Sequence, residues 1–287
     1  MEKSKGSNKQ VGKSWKNDIG IFIFLALLGC FMLLPIYIAI VTSIKPVNEI
    51  FIMPPRLYAM DPTGDNFKDL FVVANNSWVP FSRNVFNSIF VTVVATGLHV
   101  LFACTAGFVL AKCRFPGVKV INKIVVIALL FNSQVTYIMQ YMVMARLGMI
   151  NTYSALIMPL IASSMGLYLM IQSVGQIPDA MIEAAKVDGA GLMRICWGIV
   201  MPNSKPALMT IIIFQFQAVW NTNGGSIVYD EALKTMPTVV QQIAAAGLAR
   251  QGAIAASAVV LMIPPLAIFI AAQSNVMETM AHAGMKD

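Results

Sequence analysis

Six long uncharged runs dominate this sequence: residues 19–44, 84–111, 124–145, 147–178, 206–229 and 251–277, of 26, 28, 22, 32, 24 and 27 residues. A helix needs about 20 apolar residues to cross about 30 Å of hydrocarbon, and inside lipid every backbone N–H and C=O must be satisfied within the segment. Each run meets that length, and no other uncharged run reaches 18 residues. The expected fold class is therefore an all-α polytopic membrane protein with six transmembrane helices, near 19–43, 84–111, 124–145, 153–173, 206–229 and 253–276. Composition excludes a soluble globule: 57% of the 287 residues are hydrophobic and 11% charged, against roughly 25% charged in a soluble domain. The first run exceeds the apolar core of a secretory signal, about 7–15 residues, and no small-residue cleavage site follows Ser43, so it is expected to remain as a span.

Basic residues near spans are retained in the cytoplasm. With the N-terminus inside, segments 1–18, 112–123, 174–205 and 278–287 hold 13 Lys and Arg, and the opposite segments 44–83, 146–152 and 230–250 hold 7. Both termini are thus expected in the cytoplasm, as a basic tail over 1–18 and a short tail over 278–287 flanking a transmembrane domain over 19–277. The net charge of +7 reads as a topology device with affinity for an anionic lipid bilayer, and nucleic acid is not an expected partner.

Chemistry of the chain's own is poorly supported. Gly6 to Ser14 approaches a phosphate-binding loop, but five residues rather than four separate Gly6 from Gly12, and no strand precedes it. No Asp or Glu lies within a predicted span. Ser163 and Ser164 beside Gly166 read as small-residue packing. Cys30, Cys104, Cys113, Cys196, His99 and His282 show no paired or ligand spacing, so neither a disulfide nor a metal is implied.

One loop departs from this blandness. Within 174–205, Pro178 and Asp179 suit the first turn of a helix, Asp179, Glu183 and Lys186 follow at spacings of four and three, and Gly189 suits a helix stop. An apolar stretch from Leu192 through Ile199 to Pro202 follows. Helix, glycine elbow and second short helix form a cytoplasmic knob that fits a partner's groove. The run Glu183-Ala184-Ala185-x3-Gly189-x9-Ile199-x-Met201-Pro202 resembles the EAA motif of ABC importer permeases, E-A-A-x3-G-x9-I-x-L-P, with Met201 for leucine, a swap of similar volume.

The resemblance extends over nearly the whole chain, toward the G-type inner-membrane subunit of maltose transporters and other carbohydrate importers. Leu34 to Lys45 and Met53-Pro54-Pro55 resemble that family's first span and its exit, and Arg83-Asn84-x-x-Asn87-Ser88 leading to Ala111-Lys112-x-Arg114-Phe115-Pro116-Gly117 is similar to its second span. Gln273 to Lys286 resembles its tail, with Ser274 where a base is usual. The resemblance implies a non-enzymatic permease in the cytoplasmic membrane of a bacterium or archaeon. It implies pairing with a second permease subunit, an ABC ATPase dimer that binds the ATP and Mg, and an extracytoplasmic solute-binding protein that delivers a sugar. It assigns ATPase coupling to the 178–202 loop, to Glu183, Ala184, Ala185, Asp188, Gly189, Ile199 and Pro202, with Glu183 paired to a base of the ATPase and the alanines allowing close approach. An importer of a non-sugar solute is the near alternative. A standalone secondary transporter is the distant one, and it lacks the expected intramembrane charges or inverted repeats.

Ser133, Thr136, Tyr137 and Gln140 share one helical face of the third predicted span, and Gln215, Gln217 and Asn221, with Trp220, lie in the fifth. Polar groups in lipid turn toward the bundle or a water-filled path. Uncharged amides and hydroxyls suit a polyol, and interhelical bonding at about 0.6 kcal/mol each accounts for them equally well. Pro264-Pro265 is expected to kink or break the sixth span, and residues 235–249 to form a short helix at the outer interface.

Overall fold

The computed structural model describes the backbone of residues 15–75, 79–131, 133–245, 247 and 250–284, and side chains over 19–72, 79–131, 135–245, 247 and 250–271. The phosphate-loop-like run at Gly6 to Ser14, the side chain of Ser133, the side chains of the tail and residues 285–287 lie outside that description. Among the described residues there is no strand. The helices are α1 (Trp15–Ser43), α2 (Val47–Ile50), α3 (Asp65–Asn75), α4 (Phe81–Lys112), α5 (Val118–Ala128), α6 (Ser133–Arg146), α7 (Tyr153–Ile161), α8 (Ser164–Gly175), α9 (Asp179–Val187), α10 (Leu192–Ile195), α11 (Met201–Asn203), α12 (Lys205–Trp220), α13 (Met236–Ala245) and α14 (Gln251–Gly284). A π-helical turn, Cys196–Val200, joins α10 to α11, and a 3₁₀ turn, Glu231–Leu233, precedes α13.

Four of the expected spans are long apolar helical stretches: Ile19–Ser43, Phe81–Lys112, Tyr153–Gly175 and Gln251–Ala271. The other two runs do not form one continuous helix. Run 124–145 is divided between α5, which ends at Ala128, and α6, which begins at Ser133. Run 206–229 is helical only to Trp220, because Asn221-Thr222-Asn223-Gly224-Gly225 is turn chemistry. The 16 residues of α12 span about 24 Å at about 1.5 Å each. At its start α12 meets the α10–α11 stretch at 87°, and that bent pair makes a fifth crossing if counted as one.

Helix α4 is the centre of the bundle, packed on α7, α8 and α12, while α14 packs on α1, α3, α12 and α13. Helix α1 stands outside, with Phe22 and Leu27 71% and 69% exposed, as a helix facing lipid or another chain requires. One buried cluster joins Cys104 and Phe108 of α4 to Met170 and Val174 of α8, Ile182 of α9, Ile195, Val200 and Ile211. A second gathers Val91, Ala95, Leu156 and Val219 with Ile227 and Val228.

Helix α14 continues through Pro264 and Pro265 rather than breaking. Pro265 has no N–H for the carbonyl four residues earlier, Leu261, and the Trp220 indole donates to that carbonyl at 3.0 Å. A neighbouring span thus satisfies the group that the proline frees. Trp220→Phe is expected to keep the ring packing and destabilise the purified chain by about 1–3 kcal/mol. The readout is its thermal unfolding midpoint in detergent, and an unchanged midpoint would contradict the assignment.

The expected helix within 235–249 is α13, whose Ile243 is buried with Leu70 of α3 and Ala253 and Ala256 of α14. The Arg83-to-Ser88 stretch is a clamp on the segment leading to it. Asn84 and Asn87 donate to the Lys234 carbonyl, both at 3.0 Å, Asn87 donates also to Ala232 at 2.9 Å, and the Met236 N–H donates to Ser88 Oγ at 2.7 Å. Tyr153 donates to Asn87 Oδ1 at 2.7 Å, so the amide is used on both sides. Asn87→Ala is expected to loosen the segment, seen as faster proteolysis between residues 223 and 236. An unchanged cleavage rate would contradict the clamp.

Candidate functional site

Helix α9 starts after Pro178, whose extended backbone (ψ 133°) sets the entry. Two side chains dock it: Ile182 and Ala185 are 5% and 6% exposed and join the cluster of α4, α8 and α12. Glu183, Ala184, Lys186 and Asp188 face outward. The two alanines therefore differ: Ala184 lies on the free face, and Ala185 packs on the chain's own core. Among the described residues Glu183 has no ion pair and no side-chain hydrogen bond, so the carboxylate is not used within the helix, by Lys186 or otherwise. Asp179 is engaged, by Lys112 of α4 at 2.7 Å. That hydrogen-bonded ammonium is the chief cause holding the Asp179 carboxyl below its ordinary pKa.

Gly189 ends α9 with φ +77°, a left-handed conformation that costs a side-chain-bearing residue about 1–2 kcal/mol. The Ala190 N–H donates to the Ala185 carbonyl at 2.9 Å and the Gly189 N–H to Lys186 at 3.0 Å, the paired closure of a glycine-terminated helix. Beyond it Cys196 and Val200 are buried, Ile199 is half-buried and Pro202 is exposed. Met181, Val187, Leu192, Met193 and Trp197 are 39%, 87%, 54%, 67% and 38% exposed. This loop thus presents an apolar surface with the Glu183 carboxylate beside it.

The loop connects to a cavity of about 420 Å³ lined by His99 of α4, Ser163, Met165, Gly166 and Leu169 at or after the α7–α8 break, and Phe214, Gln215, Gln217 and Asn221 of α12. The break is held open from both sides. Gln215 donates to the Leu160 carbonyl at 2.6 Å, and His99 Nδ1 lies 2.7 Å from the Ile161 carbonyl, which fixes the ring proton on Nδ1. Non-helical backbone at membrane depth persists where it is satisfied by neighbours or lines a cavity, and both conditions hold here. Gln215 is therefore spent on the fold, while Gln217 and Asn221 are exposed. Thr136 and Gln140 line a separate cavity of about 410 Å³ between α6 and α7, and Tyr137 hydrogen-bonds Ser226. Thr136 and Gln140 of the third predicted span and Gln215, Gln217 and Asn221 of the fifth thus line two cavities rather than one. Sequence reasoning read Ser163 as small-residue packing and gave His99 no role, although a histidine within an apolar run was the signal available for the second.

No family model matches the chain. Protein LplC of Bacillus subtilis is 29% identical over 232 residues, 79% of this chain and 75% of that protein. The sn-glycerol-3-phosphate transport system permease protein UgpE of Yersinia enterocolitica is 28% identical over 262 residues, 89% and 93% of the two chains. The arabinooligosaccharides transport system permease protein AraQ of Halalkalibacterium halodurans is 30% identical over 211 residues, 72% of each. In fold, the chain superposes with TM-score 0.76 and 22% identity on a chain of a bacterial ABC transporter that imports alginate, covering 92% of this chain and 98% of that one. A chain of the MetNI methionine ABC transporter gives a TM-score of 0.52 at 18% identity, over 74% and 97%. With a sugar-transport permease at 30% identity over 72% of both chains, and the fold shared with a chain of an ABC importer, the protein belongs to the carbohydrate-type permease family of ABC importers.

Proposed function

We propose that this permease forms half of a heterodimeric pathway for a carbohydrate or similarly hydroxyl-rich solute, in an importer driven by ATP that partner ATPase subunits bind with Mg. Its second permease supplies the other half, and an extracytoplasmic binding protein delivers the solute. The chain crosses the bacterial or archaeal cytoplasmic membrane six times between residues 19 and 277, with 1–18 and 278–287 in the cytoplasm. Where helices are short or divided, as in α5–α6 and α12, the second permease and lipid complete the crossing.

The observation that carries this reading is the way the 178–202 loop is built. Ile182 and Ala185 fix it to the bundle while Glu183 and the apolar face of Met181, Val187 and Leu192 stay free. ATPase closure is a rigid-body movement, and a rigid helix seated in a partner's groove transmits one. Both walls of the larger cavity are attached to the loop: α8 runs into it through residues 176–178, and α12 leaves it at the 87° bend. Gln217 and Asn221 offer amides to solute hydroxyls and Phe214 an apolar ring face, with no charge among the lining residues. Thr136 and Gln140 offer further polar groups from the separate cavity between α6 and α7.

The solute class follows from the relatives, whose names specify arabinooligosaccharides and sn-glycerol 3-phosphate. Uptake of radiolabelled arabinotriose, sn-glycerol 3-phosphate and methionine, compared between cells with and without the chain, tests it. Loss of uptake confined to a hydroxylated solute is expected. Loss confined to methionine would overturn the carbohydrate assignment and leave the importer.

A further inference from the structure

We propose that Lys112 is a positioning residue that fastens the coupling helix α9 to the two spans bordering the cavity, so that α4, α8 and α9 move as one part. This rests on the reading of α9 as the coupling helix. Lys112 ends α4, and its side chain is only 8% exposed although it lies in the last turn of a helix. Its ammonium is used three times. It donates to Asp179 Oδ1 at 2.7 Å, in the first turn of α9, to the Ile177 carbonyl, and to the Gly175 carbonyl at 3.4 Å, where α8 ends.

The last carbonyls of a helix have no internal partner, and a cation placed there also meets the negative end of the helix dipole. Lys112 thus caps α8 and, with its third hydrogen, holds the first residue of α9. The remaining attachment of α9 to the bundle is apolar, through Ile182 and Ala185, and apolar contact alone resists sliding poorly because it is not directional. Arg114 and Lys186 also bear electrostatically on Asp179, yet the Gly175 and Ile177 carbonyls are bonded by Lys112. The geometry separates the two functions of the ammonium. Asp179→Asn keeps the carbonyl caps and an uncharged acceptor, so it should be mild. Exchanging the charges, Lys112→Asp with Asp179→Lys, restores an ion pair but leaves no donor from position 112 for Gly175 and Ile177, so it should not rescue. Lys112→Arg restores donors and charge together, so it should.

The test uses the complete importer, with both permeases and the ATPase pair, in liposomes. The readouts are ATPase retention on gel filtration and the stimulation of ATP hydrolysis by the cognate binding protein. Lys112→Met is expected to retain the ATPase and lose about ten-fold in stimulation, with basal hydrolysis unchanged. Lys112→Arg should recover most of it, Asp179→Asn should lose less than half, and the exchanged pair should remain as low as Lys112→Met. Wild-type stimulation in Lys112→Met overturns the proposal. So does recovery in the exchanged pair, and so does a loss that merely follows dissociation of the ATPase. Glu183→Lys run in parallel separates the two ideas: full stimulation there overturns the coupling role of α9 itself, whatever Lys112 does.

Discussion

Gly166→Ala is expected to cut the amount of membrane-inserted protein several-fold, although alanine is the better helix former by about 1 kcal/mol. A Cβ at position 166 would lie 2.0 Å from His99 Nε2, 2.8 Å from His99 Cε1 and 3.2 Å from Ile211 Cγ2. The ring cannot step aside freely, since it is 2% exposed and held at the Ile161 carbonyl. Either α8 moves off α4, at an overpacking cost of about 1–3 kcal/mol, or the ring turns and gives up its bond to the part-buried Ile161 carbonyl, at a further cost of about 1 kcal/mol. Each outcome disturbs the α7–α8 break and the cavity beside it. The same close approach recurs at Gly107, where a Cβ would meet Met170 Cβ at 2.7 Å, so small residues on opposite partners set the α4–α8 separation, as they do between helices in lipid generally. Gly97 of α4 has nothing within 4 Å of its Cβ position, and Gly97→Ala is the control. Equal yield and thermal stability of the two variants would contradict the packing account.

Glu183→Lys should leave that packing alone and abolish transport. Among the described residues the carboxylate has no ion pair or hydrogen bond to lose within the chain, and its neighbours on the exposed face are solvated. Stability is therefore expected to change by no more than about 0.5 kcal/mol. If Glu183 pairs with a base of the ATPase as proposed, uptake should fall below about a tenth of wild type, because the reversed charge would meet that base with repulsion, and an unpaired charge at an interface costs about 2–5 kcal/mol. Gly189→Val reaches the same phenotype by another route. Valine at φ +77° undoes the turn that carries the chain from α9 to α10, so the surface is present but misdirected. Normal uptake in Glu183→Lys would remove the coupling role from this residue.

How much of this was legible in the sequence depended on which physical signal carried it. Apolar length identified α1, α4, the α7–α8 pair and α14, because a span must satisfy its backbone within itself. The same criterion overstated the continuous helix in 124–145 and 206–229, since an absence of charge says nothing about where the backbone turns. The string Asn221-Thr222-Asn223-Gly224-Gly225 carried that information and was overridden by length. Gly189 was legible because its role is local: a helix stop needs a left-handed residue and the chain supplies one. At Pro264-Pro265, where a kink or a break was expected, the helix is unbroken for a reason that is not local. The group that rescues the helix is Trp220, 45 residues earlier in the sequence, and no local pattern announces it. His99, Lys112 and the burial of Ala185 belong to the same class: each acts through a partner more than 20 residues distant or through the packing of a whole face. The polar residues of α6 and α12 lie between these cases. Their helical spacing was readable, but their division into two cavities depends on how α7 and α8 pass between neighbours.

The central claim is that an exposed loop on this permease couples it to a separate ATPase, and isolation of the chain from its native membrane in mild detergent tests it most directly. With an affinity tag and mass spectrometry, the account predicts recovery of a second permease and an ABC ATPase, with the ATPase lost or weakened from the Glu183→Lys copy. Recovery of the chain alone, or only with copies of itself, from both would contradict it.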